Sequence, residues 1–224
     1  MQNNDWWKPR NLKKSEEKFL KENNLNRSGV GHLFSSYKVM LATNDITKSL
    51  INSHNDTTPS YRVKKIKKIL GNFNPKKIYD IGCGLGFTTN EISKAYPCAE
   101  VIGVDISDDA VTFGNKNFPN CLFLSEAVDP ENKKQVFHAD LIYAFEFYPF
   151  TRTSVLSEHT KYLAHLTDEL SEEGKLVIFH LWDNPESLSV NYNELVSLFP
   201  NLKFELYLMP LRQIGKFVRS RFFA

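Results

Sequence analysis

The stretch Asp80-Ile81-Gly82-Cys83-Gly84-Leu85-Gly86 sets one acid ahead of three glycines in alternate positions. Glycine loses more conformational entropy on ordering than any other residue, so three this close point to backbone geometry that side chains would block. A loop of that kind lets the main chain touch a ligand directly, and the acid narrows which ligand. A dinucleotide fingerprint reads GxGxxG and sets pyrophosphate at a helix N-terminus. Here the spacing is GxGxG, and a carboxylate at Asp80 would repel pyrophosphate but accept bonds from an ammonium group. Further along lie side chains suited to proton transfer: Glu146, Tyr148 and His180. Of these the imidazole is the best poised near neutral pH, although a His in "VIFHLW" also reads as a hydrogen-bonded core residue.

Such residues need a scaffold that gathers them, and the apolar pattern supplies one. Strand-like runs are expected at 77–81, 100–104, 122–125, 139–145 and 175–181. Helices are expected at 88–95, 108–116, 153–170 and 186–198. A helix also precedes the first strand: "TPSYRVKKIKKILG" offers a Thr cap, a Pro at the first helical position and a closing Gly. The third crossover, "AVDPENKKQVF", is too short and irregular for more than one helical turn. This alternation predicts an α/β fold, a three-layer sandwich whose mostly parallel sheet is covered by helices on both faces. In the tail, Pro210 and Gly215 break two strand-like runs, which predicts an antiparallel hairpin on the sheet edge and seven strands in all. In open sheets of this kind ligands bind beyond the carboxyl ends of the strands. The glycine loop, which follows the first strand, is therefore at the ligand side.

At these residues the chain resembles the class I S-adenosylmethionine-dependent methyltransferases, whose first motif is DxGxGxG: Asp80, Gly82, Gly84 and Gly86. The resemblance extends over most of residues 60–224. It implies that Asp105, 19 residues after Gly86, accepts the cofactor's ribose hydroxyls, with Ile106 beside it. A carboxylate can take both hydroxyls at once through charge-assisted bonds. It also implies that Glu126 faces the adenine amino group beside Ala127, a departure in length from the family's usual Asp. By the same resemblance "ADLIYAFEF" is expected to deliver Phe145 and Glu146 near the methionine half, and Gly174 to be the turn before the fifth strand. Cys83 belongs to the cofactor loop as a small packing residue and not as a nucleophile. The implied cofactor is S-adenosyl-L-methionine, leaving as S-adenosyl-L-homocysteine.

Composition closes other routes. The 42% apolar and 24% charged content is that of an ordinary globular chain. A formal net charge of +2 provides no broad footprint for nucleic acid. "EFYPFTR" lacks the opening Asp or Asn and the second Pro of the DNA amino-methyltransferase motif. No apolar run reaches the length of a membrane span, and the N-terminus has no apolar signal region. Three cysteines without CxxC spacing argue against a disulfide frame or zinc site and for a reducing cytoplasm. Glu146 with Asp183 and Asn184 could hold magnesium, but "DNP" is also a plain turn sequence, and the metal-free reading is preferred.

The resemblance implies that residues 1–57 form a helical cap that folds over the cofactor and shapes the acceptor pocket, with Trp6, Trp7, the loop 29–32 and Tyr37 as lid residues. A homodimer contact is the alternative, since paired tryptophans also anchor interfaces. The expected activity is methyl transfer to a hydroxyl or amine of a small polar metabolite, such as a sugar or phosphorylated intermediate. Transfer to a protein or nucleic acid, or a non-catalytic cofactor-binding subunit, are the rival readings.

Overall fold

The computed structural model describes residues 59–131, 137–151, 153–181, 187–213 and 216–223. The chain divides into two compact units, Met1–His54 and Asn55–Ala224, and everything described belongs to the second. The expected cap at 1–57 and the Thr58 cap of the first helix therefore lie outside the described residues.

Helix α1 spans Pro59–Leu70 and closes on Gly71 at φ 62°, whose N–H bonds the Lys67 carbonyl at 3.1 Å. Left-handed geometry at a helix C-terminus is the setting in which glycine is favoured. Strand β1, Lys77–Ile81, leads to α2, Phe87–Ala95, then β2, Glu100–Asp105, and α3, Asp108–Asn117. Strand β3 is Leu122–Ser125 and β4 is Ala139–Phe145, with no helix among the described residues between them. Helix α4, Leu156–Asp168, runs into β5, Leu170–Leu181. A 3-10 turn, Leu188–Asn191, precedes α5, Tyr192–Leu198, and the chain closes with β6, Leu206–Gln213, and β7, Lys216–Phe223.

The strand order is β3-β2-β1-β4-β5-β7-β6. The first five are parallel, and β7 lies antiparallel to both β5 and β6. The order reverses between β1 and β4, which opens the crevice where ligands bind in such sheets. One face of the sheet packs Ile78, Val101, Leu141, Tyr143 and Phe179 against Val63 and Ile66 of α1 and Ile92 of α2. The other packs Ile81, Val104, Ile142 and Ile178 against Leu163 and Leu166 of α4 and Leu195 of α5. Covered on both faces, the central strands read as continuous apolar runs.

Three boundaries differ from the sequence reading, each for a physical reason. Helix α4 stops at Asp168, and β5 begins at Leu170, so Gly174 is not a turn between them but part of a bulged strand. Leu170 already pairs with Ala139, and the register jumps to Leu141–Lys175. Asp140 holds the bulge: it accepts from Ser171 Oγ at 2.9 Å and from the Lys76 and Lys77 N–H groups at 2.8 and 3.1 Å. The segment expected as one helix at 186–198 is a 3-10 turn followed by α5. Pro210 does not break its strand; it pairs opposite Arg219. Strand β6 is the sheet's outermost, where a missing N–H is tolerated.

One aromatic ring organises the glycine side of the sheet. A Cβ at Gly86, Gly103 or Gly114 would come within 2.4, 2.7 or 2.8 Å of the Phe123 ring, closer than packed carbons approach. Phe123 is buried, and the loop, β2 and α3 each contribute a glycine to its cradle. Gly86 adds a left-handed φ of 83°. Gly86→Ala is therefore expected to destabilise the fold by about 2–4 kcal/mol, joining backbone strain to overpacking. Urea unfolding of Gly86→Ala, Phe123→Leu and the double variant would show partial relief in the double. Additive losses would contradict the shared contact.

Candidate active site

The carboxyl ends of β1, β2, β4 and β5 meet along one edge, and the loop after β1 folds across its neighbour. Gly82 and Cys83 both donate to the Val104 carbonyl, at 2.8 and 3.1 Å, and the Gly86 N–H closes a turn on the Cys83 carbonyl at 3.0 Å. Gly82, Gly84 and Gly86 have φ of 67°, 55° and 83°, in the left-handed region that favours glycine. A Cβ at Gly82 would also come within 2.8 Å of Phe147 Cδ2. Cys83 is half-buried, with Sγ 3.7 Å from the Gly84 carbonyl. Burial, with Asp80 and Asp105 nearby, pushes its thiol well up, so it is no nucleophile near neutral pH.

Two enclosed acids flank this loop. Asp105 ends β2; its Oδ2 accepts the Gly84 N–H at 2.8 Å and its Oδ1 accepts the Ser107 N–H at 2.9 Å. Burial raises its pKa, and those N–H groups, with that of Ile106, pull it back. A carboxylate has about four lone-pair sites, so acceptor capacity remains after the loop is pinned. Asp80 is buried in β1, and its Oδ2 accepts from Thr89 Oγ1 at 2.7 Å. Burial, opposed by the Thr89 bond and reinforced by Asp105, pushes it up to about 7. Among the described residues no cation acts on it. An enclosed carboxylate with no counter-charge fits a ligand that brings one.

The same edge gathers the other expected cofactor contacts. Ile106 is half-buried after Asp105, and Glu126 and Ala127 are exposed after β3. The Glu126 N–H donates to the Asp105 carbonyl at 3.1 Å, which ties this turn to β2. Phe145 is placed differently from the expectation. Its ring packs edge-on to Tyr143 and Phe179, at 5.2 and 5.4 Å, within the core on the α1–α2 side. Alternation along β4 explains this, because Phe145 shares a face with Leu141 and Tyr143.

Among the candidate proton-transfer groups, Glu146 stands out by its backbone. It is half-buried at φ 50°, and its N–H donates to the Phe179 carbonyl at 2.9 Å. A non-glycine residue in that region stores strain of the sort that collects at functional sites. Tyr148 is half-buried, edge-on to Tyr162 at 6.1 Å, and burial with the Glu158 charge raises its pKa. Its basic phenolate form is thereby scarcer near neutral pH, and packing is its evident contribution. His180 is fully enclosed in β5. Asp183 and Asn184 lie outside the described residues, and among the described residues no three His, Cys, Asp or Glu group as a metal site. No described helix is long and apolar enough to cross a membrane.

Three residues of this edge escape sequence reasoning. Thr89 is buried and bonds Asp80; its only signal was a polar residue on the stripe that continues to Ile92. Phe147 covers Gly82, and nothing in its sequence context marks that. Arg62 lies on α1 in the stripe of Ile66 and Ile69, with its guanidinium carbon 5.2 Å from the Phe179 ring centroid. Its sequence context, a cation on the apolar stripe of a lysine-rich helix, does not single it out.

A parallel α/β sheet with a left-handed glycine loop after β1 and acids closing β1 and β2 is the architecture of a nucleoside-cofactor enzyme. Residues 79–176 match a family described as "Methyltransferase domain". Over that segment the chain is similar to methyltransferases, which supports S-adenosylmethionine as the cofactor. Over 107 residues it is 31% identical to trans-aconitate 2-methyltransferase of Rhodopseudomonas palustris, covering 46% of this chain and 38% of that protein. Over 78 residues it is 32% identical to malonyl-[acyl-carrier protein] O-methyltransferase of Legionella pneumophila, covering 30% and 26%. The chain thus spans less than half the length of these relatives. Among solved structures, the plantazolicin methyltransferase BpumL, in complex with a triazolic desmethylPZN analog and SAH, superposes with TM-score 0.56 at 16% identity. That match covers 96% of this chain and 98% of the other, and it supports the fold alone.

Proposed function

We propose that the protein moves a methyl group from S-adenosylmethionine to a hydroxyl or amine of a small polar metabolite. The observation that carries this reading is the left-handed glycine loop whose Gly84 N–H is pinned to Asp105, beside an Asp80 that no cation among the described residues neutralises. When bound, S-adenosylmethionine would supply an electrophilic methyl for in-line transfer to the acceptor lone pair, its sulfur leaving as the thioether of S-adenosylhomocysteine. In that arrangement Asp105 takes the ribose hydroxyls on its remaining acceptor capacity, and Gly82, Cys83, Gly84 and Gly86 give close backbone contact. Ile106, Glu126 and Ala127 border the adenine. Asp80 holds the ammonium end, with Thr89 fixing its rotamer. Glu146 stands beside the acceptor and, with Tyr148 and His180, is a candidate to receive its proton. Holding the acceptor close to the methyl supplies several kcal/mol by orientation alone.

The finer architecture belongs to the same proposal: a seven-stranded class I sheet with residues 1–57 as its cap. Two matched relatives are named for trans-aconitate and for O-methyl transfer to a malonyl carrier, which supports an oxygen acceptor. Calorimetry with S-adenosylhomocysteine and NAD, followed by transfer to a metabolite panel, tests the reading. Saturable binding of S-adenosylhomocysteine alone, with methyl transfer to a small molecule, is expected. Binding of NAD in its place would reject it, and transfer only to macromolecules would reject the acceptor class.

A further inference from the structure

The first turn of α1 lies at the ligand edge, because this helix runs against the strand direction and delivers its C-terminus to the start of β1. There Arg62 lays its guanidinium carbon 5.2 Å from the centroid of Phe179, near the carboxyl end of β5. Its Nε is buried and has no hydrogen-bond partner among the described residues. Glu146, at the end of β4, is the acid whose charge bears on it, while burial lowers its pKa. A guanidinium presents five donors in a planar fork, and a buried N–H left unbonded is costly. The Phe179 ring, itself edge-on to Phe145, sits under the fork. This is a cation held in an enclosed setting with donors to spare.

The position decides which group it serves. Ile81 pairs with Ala144, and Phe145 pairs with Phe179, so β5 lies two strand spacings from the glycine loop, about 10 Å. The cofactor's ribose and ammonium sites lie at β2 and β1. Arg62 lies on the other side of β4, beyond the end where the methyl would be presented. The geometry points to Arg62 as an acceptor-recognition residue whose fork binds a carboxylate on the metabolite being methylated. This rests on the methyltransferase reading and narrows its substrate class to small carboxylic acids. Lysine would satisfy the charge but not the planar two-point contact.

The test compares wild type, Arg62→Gln and Arg62→Lys for S-adenosylhomocysteine and methylthioadenosine binding, with melting curves as a fold control. Methyl transfer is then measured to mono-, di- and tricarboxylic acids, among them malonate and trans-aconitate, each beside its carboxamide. Wild type is expected to use an acid and to discriminate against its amide. Arg62→Gln is expected to raise KM for that acid about 30-fold or more, with S-adenosylhomocysteine affinity within about threefold of wild type. Arg62→Lys is expected to fall between, and the variants should handle the carboxamide as wild type does. An unchanged KM in folded variants, or wild-type transfer only to acceptors without a carboxylate, would overturn the assignment. Weaker S-adenosylhomocysteine binding with intact methylthioadenosine binding would also overturn it, because the fork would then serve the cofactor's own carboxylate. Failure of wild type to bind either nucleoside would instead remove the underlying methyltransferase reading.

Discussion

Asp105→Ala is expected to weaken S-adenosylhomocysteine binding by about 100- to 10,000-fold while leaving a folded protein. Two charge-assisted bonds to ribose hydroxyls contribute about 1.5–3 kcal/mol each, and about 1.4 kcal/mol is a factor of ten. The substitution also frees the N–H groups of Gly84 and Ser107, which Asp105 accepts at 2.8 and 2.9 Å. Part of the loss therefore arises from a glycine loop no longer tied to β2, with about 1–3 kcal/mol of stability lost as well. Asp105→Asn separates the two effects. It keeps a carbonyl oxygen for one N–H but cannot accept both hydroxyls, so binding should fall between wild type and alanine. Calorimetry reads affinity and urea unfolding reads stability. An unaltered affinity in folded Asp105→Ala would remove the basis of the cofactor site.

Asp80→Asn is expected to have opposite effects on stability and binding. The Asp80 carboxyl is pushed up to about 7 from an ordinary value of 3.8, chiefly by burial. A carboxyl whose folded pKa is raised contributes stability that is fully present below about 4 and is lost as pH rises through 7. At pH 8 the unliganded protein therefore encloses an ionised group at a cost of up to about 4 kcal/mol. Asparagine keeps an oxygen for the Thr89 hydroxyl, which is 2.7 Å from the carboxylate, and carries no charge. The unliganded variant should consequently melt higher than wild type at pH 8 and near it at pH 5. Binding should move the other way. Wild-type affinity for S-adenosylhomocysteine, which carries an ammonium, should rise from pH 6 to pH 7, at most tenfold per unit, and level off by pH 8. In Asp80→Asn that dependence should vanish and affinity at pH 8 should fall. A variant that is both less stable and as pH-dependent as wild type would show that Asp80 is structural.

The parts of the site readable from the sequence were those whose local geometry names its own residue type. Glycines at left-handed φ in residues 82–86 and an acid ending β2 leave such a trace, because few other residues can stand there. Arg62 left a weaker one: a cation on the Ile66–Ile69 stripe of a helix otherwise rich in exposed lysines. Its meaning depends on Phe179 and Glu146, 117 and 84 residues away, and no local pattern carries that. Gly174 was misread because a glycine after a helix suggests a turn, whereas Leu170 had already joined β4 and Asp140 held the bulge. Pro210 was misread because proline opposes a central strand, whereas β6 is outermost. Phe145 was placed by analogy at the ligand edge, but the two-residue period of β4 sends its ring into the core.

The ring of Phe123 is gripped from three directions by the glycine loop, strand β2 and the helix after it. No one of these can loosen without losing contacts in the other two. Recognition and folding thus share a single keystone, and warming should erase cofactor affinity and tertiary structure in one cooperative step, with no temperature range in which a folded protein has already lost its nucleoside grip.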